Sequence, residues 1–215
     1  MFSNAIVRRP GKMFVNGLSS SNLGIPNYQK AISQHEAYVA ALETCGLKVH
    51  YLKTNENFPD STFVEDIALL TPKCAIIMNP GAPSRRGEII GIKGVLEEFY
   101  TNIERIRPPG TAEAGDIMMV GNHFYIGLSA RTNKEGARQI EIILNRYGMT
   151  SSVVPLKNVL HLKTCMAYLE KNNLLFCDEF MSVDKFSGYR IIDVPVKESY
   201  AANSICVNET VIMPS

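Results

Sequence analysis

No stretch of this sequence gathers lysine and arginine into a run, and the formal net charge over all 215 residues is only +1. A protein that follows a nucleic-acid backbone needs a basic face to neutralise phosphates, which argues against nucleic acid as a partner. No apolar stretch approaches the roughly 18 residues of a membrane span. The opening Met1-Phe2-Ser3-Asn4-Ala5-Ile6-Val7-Arg8-Arg9 is too short in its apolar part for a signal peptide. The five cysteines are an odd number without paired short spacings, which argues against a disulfide framework. With no Cys-x-x-Cys pair and no His-x-x-x-His, a zinc site has no support. These absences together predict a cytoplasmic protein with neither membrane nor nucleic acid among its partners.

What the sequence does contain is enough for one sizeable core: 46% of its residues are apolar and 20% charged. Nothing in composition marks a linker, so residues 1–215 are expected to form a single domain. The chain repeats itself. Four segments share an apolar run, a short polar turn and a second apolar run. They are Asp66–Leu70 with Cys74–Met78, Asp116–Val120 with His123–Ile126, Met166–Leu169 with Leu174–Cys177, and Ile205–Val207 with Thr210–Met213. Turns such as Thr71-Pro72-Lys73, Gly121-Asn122 and Lys171-Asn172-Asn173 have hairpin chemistry. Helical spacing predicts a helix from roughly Tyr28 to Thr44, a second through Ile92, Val95, Leu96 and Phe99, and a third through Ala137, Ile140, Ile143, Leu144 and Tyr147. Short strands follow these helices at Lys48–Leu52, Ile103–Ile106 and Ser152–Leu156, while Phe186–Val194 offers a weak helix before its strand. The unit is hairpin, helix, strand, and the fold class is α/β. The fourth unit stops after its hairpin. An uncovered sheet edge and apolar face at that point predict self-association into a homo-oligomer or marginal stability.

Acidic residues recur just ahead of the repeated strands. Phe58-Pro59-Asp60-Ser61-Thr62-Phe63-Val64-Glu65-Asp66 leads into the first hairpin and Gly110-Thr111-Ala112-Glu113-Ala114-Gly115-Asp116 into the second. The equivalent place in the third holds Leu160-His161-Leu162-Lys163-Thr164. The second segment has only the glycine spacing of a phosphate loop, because Asp116 stands where lysine is needed and Glu113 would repel phosphate. For any one acid alone, a strand-end or turn role is the commoner one. Their recurrence at equivalent places, converging if the units pack around an axis, is what indicates a site. Carboxylates converging with one histidine suit a guanidinium, whose five donors carboxylates accept in pairs.

Six linked motifs carry a resemblance. Phe58-Pro59-Asp60-Ser61, Phe63-Val64-Glu65-Asp66, Arg85-Arg86-Gly87-Glu88, Glu113-Ala114-Gly115-Asp116, Ser129-Ala130-Arg131-Thr132-Asn133 and His161-Leu162-Lys163-Thr164 resemble the dimethylarginine dimethylaminohydrolases of bacterial type. The resemblance runs the length of the chain. It implies the pentein fold, a five-bladed α/β propeller of ββαβ units, here with its last repeat incomplete. It also implies hydrolysis of N-methylated arginines to citrulline and a methylamine through a covalent cysteine intermediate, with no metal and no cofactor. By the same resemblance Asp66 and Glu113 hold the guanidinium nitrogens, and His161 is the general acid and then the base for water. Asp60 and the backbone of Leu18 hold the α-amino group, Arg85 and Arg131 clamp the α-carboxylate, and Glu65 sits at the entrance.

The family's nucleophile lies near its C-terminus in a Gly-Gly-x-x-Cys stretch that has no counterpart in these 215 residues, so the resemblance implies a chain without its nucleophile and inactive by itself. Cys165 follows His161 by four residues in a segment that reads as a strand, which would part them by about 13 Å. Cys45 falls at a helix end, and Cys74, Cys177 and Cys206 fall in apolar runs typical of inert thiols. A non-catalytic binder of arginine derivatives, or a related activity such as arginine deimination, are the alternatives.

Overall fold

Among the described residues the strands form a ring of five small sheets, and the hairpin–helix–strand unit found in the sequence is complete in two of them. The computed structural model describes residues 1–19, 21, 23–157, 159–177 and 183–214. The chain opens with β1 (Asn4–Arg8), α1 (Tyr28–Thr44) and β2 (Lys48–Leu52), with β1 and β2 parallel. The second unit pairs β3 (Ala68–Leu70) antiparallel with β4 (Ala75–Ile77), and after α2 (Ile92–Leu96) the chain returns as β5 (Ile103–Arg105) parallel to β4. The third repeats this with β6 (Ile117–Val120), β7 (His123–Leu128), α3 (Lys134–Arg146) and β8 (Thr150–Pro155). The fourth consists of β9 (Met166–Tyr168), β10 (Asn173–Phe176) and β11 (Arg190–Asp193), and the fifth sheet is the hairpin β12 (Ile205–Val207) and β13 (Thr210–Ile212).

Local chemistry explains the elements. Asn27 caps α1 by accepting from the Lys30 N–H, and Asn133 caps α3 by accepting from the Gly136 N–H. The α3 residues at helical spacing, Ala137, Ile140, Ile143 and Leu144, are all buried. Helix α2 is shorter than its apolar spacing predicts, because Gly94 sits inside it and weakens it. The β12–β13 turn holds Asn208 and Glu209 at φ +48° and +70°, the left-handed pair of a tight hairpin turn.

Two expectations are corrected. Among the described residues, Phe186–Val194 contains no α-helix: a 3₁₀ turn (Val183–Phe186) runs into β11. Phe186 instead packs tilted against Tyr125, and Tyr189 meets Tyr125 and Tyr168 edge to face. The residues from His161 to Cys165 form no strand; Leu162–Thr164 is a 3₁₀ turn, closed by the Cys165 N–H donating to the Leu162 carbonyl. It matches turns at Val64–Ile67 and Ala114–Asp116, so each of three successive units has the same tight turn just ahead of its first hairpin strand.

The ring closes through apolar clusters between neighbouring units. Leu52, Ile67 and Ile77 join the first and second, Ile76, Ile106, Phe124 and Ile140 the second and third, and Met118, Val154, Leu174 and Phe176 the third and fourth. Ala167, Leu175 and Ala202 continue the ring, and Val7, Leu42, Leu47 and Val207 join the fifth sheet to the first. Across that seam the Asn208 side chain accepts from the Phe2 N–H and donates to the carbonyls of Phe2 and Cys45. Among the described residues no helix is long and apolar enough to cross a membrane.

Candidate active site

The three equivalent turns point their polar residues into one cavity of about 830 Å³ at the centre of the ring. Its lining includes all eight residues singled out in the sequence: Leu18, Asp60, Glu65, Asp66, Arg85, Glu113, Arg131 and His161. Asp66 comes from the first turn, Glu113 directly precedes the second and His161 directly precedes the third.

Glu113 is fully buried. Its Oε1 accepts from the Gly81 N–H at 3.0 Å and the Ala82 N–H at 3.4 Å, which fixes the carboxylate and leaves Oε2 facing inward. The His161 Nε2 lies 3.5 Å from Glu113 Oε2 and 3.6 Å from Asp66 Oδ1. Asp66 Oδ1 also accepts from the Gly115 N–H at 3.2 Å. Gly115 allows this approach: a Cβ there would fall 2.6 Å from Asp66 Oδ1 and 2.9 Å from the His161 ring. Burial pulls the His161 pKa down, but the surrounding carboxylates Asp116, Asp66 and Glu113 outweigh it and hold it above its ordinary value, so the ring retains its proton more readily.

Arg85 is the group whose placement differs most from its expected role. Its guanidinium is buried and already spoken for: Nη1 donates to Asp66 at 2.6 Å and Glu113 at 3.5 Å, and Nε and Nη2 donate to Glu88 at 3.0 and 2.8 Å. Nη2 also donates to the carbonyls of Asp60 and Phe63. Burial lowers the pKa of such a cation, yet Glu88 and Asp66 together raise it. Arg85 would hold a substrate carboxylate only by giving up one of these bonds. Arg131, in contrast, has its Nη1 buried without a hydrogen-bond partner, 3.7 Å from Glu113.

At the mouth, Asp60 accepts from the Leu18 N–H at 2.9 Å, and Glu65 pairs with Lys163 at 2.6 Å. Two residues that sequence reasoning quoted without a role prove central to the cluster. Glu88 is 1% exposed and holds Arg85; its i, i+3 spacing from Arg85 was the available signal. Asp116, fully buried, lies 3.4 Å from His161 Nδ1.

One ligand atom each from Asp66, Glu113 and His161 lie within 4.8 Å of one another, close enough to gather a cation. The neighbouring guanidinium of Arg85 shows the kind the carboxylates suit, a planar charge spread over several N–H groups.

Of the cysteines, Cys165 is fully buried, and its thiol donates to the Leu162 carbonyl at 3.2 Å. Burial, chiefly, pushes its pKa up to about 12. Burial also raises the thiols of Cys74 and Cys206.

Comparison with known proteins places this geometry. A family model described as N,N dimethylarginine dimethylhydrolase, eukaryotic, matches residues 20–211. The N(G),N(G)-dimethylarginine dimethylaminohydrolase of Pseudomonas aeruginosa is 57% identical over the whole chain, which covers 85% of that relative. That of Streptomyces coelicolor is 31% identical, over 80% of this chain and 67% of its own. A Pseudomonas aeruginosa structure of a cysteine-to-serine variant complexed with citrulline superposes with a TM-score of 0.98 at 57% identity, covering all of this chain and 85% of that one. The N-terminal domain of ArgZ, described as an arginine dihydrolase, shares the fold with a TM-score of 0.87 at 19% identity, over 98% of this chain and 83% of that one.

Five sheets around an axis, with carboxylates and a histidine gathered at its centre, define an α/β propeller of the pentein class. Within that class the chain belongs to the dimethylarginine dimethylaminohydrolase family, hydrolases of amidine C–N bonds. The expectation of an inactive chain gains no support from these likenesses, and where the 215 residues end is no measure of it.

Proposed function

We propose that this protein binds N-methylated arginine and hydrolyses it to citrulline and a methylamine. The observation that carries the reading is the placing of two carboxylates, Asp66 and Glu113, 3.6 and 3.5 Å from the Nε2 of His161. In that arrangement the guanidinium lies against Asp66 and Glu113, with its carbon beside the histidine. Asp60 and the Leu18 backbone meet the α-amino group, and the Arg131 guanidinium, whose Nη1 makes no hydrogen bond, meets the α-carboxylate. Arg85 joins the clamp only if it releases part of its present pairing. Glu65 and Lys163 flank the entrance.

A cysteine thiolate attacks the guanidinium carbon, the C–N bond to the methylated nitrogen breaks, and His161 gives its proton to the departing amine. Water then loses a proton to neutral His161 and attacks the same carbon, releasing citrulline and freeing the sulfur. The raised pKa of His161 suits the first step, because the ring holds its proton more readily than an ordinary imidazole. Cys165 as held here is a poor attacker, buried and bonded to Leu162.

Calorimetry with asymmetric dimethylarginine, paired with detection of dimethylamine by NMR, tests this reading on protein of verified mass. The expected result is saturable one-to-one binding that Asp66→Asn weakens at least tenfold, with dimethylamine and citrulline formed in equal amounts. Binding without release would rule out the hydrolytic half for this chain, and no binding at millimolar ligand would overturn the whole. Cys165→Ser separates the sulfurs: release that stops while binding persists would assign the attack to Cys165.

A further inference from the structure

Asp116 touches no substrate group in the reading above, yet it is one of the most enclosed charges in the molecule, with no exposed surface. Its Oδ2 accepts from the hydroxyls of Ser129 at 2.7 Å and Thr132 at 2.6 Å. Its Oδ1 accepts from the Leu162 N–H at 3.1 Å and lies 3.4 Å from His161 Nδ1. A buried carboxylate is costly unless paired, and the one cationic side chain within ion-pair distance among the described residues is His161. The His161 Nδ1 is itself buried and has no hydrogen-bond partner as placed, and Asp116 Oδ1 faces it at ion-pair distance. A proton on that nitrogen therefore has one place to point.

We propose that Asp116 is the positioning residue of the site, fixing the His161 ring through Nδ1 so that Nε2 faces Asp66 and Glu113. The inference rests on the proton-transfer role proposed for His161. The same carboxylate accepts from the Leu162 N–H next to His161 in the chain and faces the ring nitrogen Nδ1 at 3.4 Å. The close approach of Gly115 to the ring limits its movement from the side. With Nδ1 protonated throughout, the proton that comes and goes is the one on Nε2. It passes to the leaving amine and is regained from water. The charged groups facing the ring are Asp66 and Glu113 at Nε2 and Asp116 at Nδ1, with Arg85 behind the first two. The raised pKa of His161 is consistent with this arrangement.

The test is ¹⁵N NMR of the histidine ring, in the intact protein and in Asp116→Asn. The neutral ring of the parent protein should be the Nδ1–H tautomer. Asp116→Asn should lower the His161 pKa by about one unit or more and mix the tautomers, while the Kd for methylated arginine stays within about threefold and turnover falls. Should that variant not fold, Thr132→Val keeps the carboxylate and removes a donor, so the His161 pKa should rise instead. An Nε2–H tautomer in the parent protein, or an unmoved pKa in whichever variant folds, overturns the proposal. The NMR readout needs no ligand. A failure of the arginine reading would therefore show as absent binding with these shifts intact.

Discussion

Arg85, itself buried, donates to Asp66, Glu88 and Glu113 and to two backbone carbonyls. Removing it leaves Glu88, 1% exposed, as an uncompensated buried charge. Breaking such a pair by deleting one partner costs about 3–5 kcal/mol. Arg85→Met should therefore lower the unfolding free energy in urea by that amount, and Arg85→Met with Glu88→Met should recover most of it. A single-variant loss below about 1 kcal/mol would show the pairing to be energetically idle. His161 gives a second prediction at this scale. The folded protein holds its proton more tightly than the unfolded chain, whose histidine titrates near 6.5. Protonated His161 thus adds stability that is complete below about pH 6.5 and fades as pH rises through the raised folded value. His161→Gln should remove that part of the slope, so the Tm gap between parent and variant should narrow from pH 6 to pH 9.

At the scale of elements, the three 3₁₀ turns are what turn a strand pattern into a site. Gly115 belongs to the second and touches both of the others, through Asp66 and through His161. Gly115→Ala should cost only about 1–3 kcal/mol in stability, the ordinary price of overpacking, yet weaken binding of methylated arginine tenfold or more in calorimetry. Equal affinity would mean that the ring has room to retreat. These turns also mark where sequence reading ran out. The α1 boundaries and β2 were legible because caps and apolar spacing agree over several residues. The hairpins were legible because each apolar pair is interrupted by turn residues. A three-residue turn such as Leu162–Thr164 has no periodicity to read, and next to an apolar strand it looks like the strand's first residues. The same merging hid the position of Cys165. The eight candidate residues were legible for a different reason: motifs far apart in sequence matched a family, and the ring brought them to one cavity. Pairing within that cavity was not legible, since whether Arg85 meets a substrate or Glu88 depends on rotamers and burial.

For the whole molecule, the ring depends on its seam. Asn208 joins the first and fifth sheets with three hydrogen bonds, while sitting at a left-handed φ that asparagine tolerates better than most residues. Asn208→Ala loses both contributions, and Asn208→Gly loses only the bonds. Hydrogen exchange should show β1 and β12 opening first in either variant, with the alanine form less stable by about 1 kcal/mol than the glycine form. Exchange that quickens first in β7 or β8 would place the weak point elsewhere.

A cavity built to receive guanidinium has a consequence at the bench. Guanidinium chloride is the side-chain head of the proposed substrate, supplied at molar strength. At low concentration it should occupy the space between Asp66 and Glu113 and stabilise the fold by mass action before its solvating power takes over. The unfolding curve in guanidinium chloride should then begin with a rise in Tm that urea, uncharged, does not give, and Glu113→Gln should flatten that rise. Stabilities drawn from the two denaturants will disagree for this protein, and the size of the disagreement measures how strongly the cage prefers its cation.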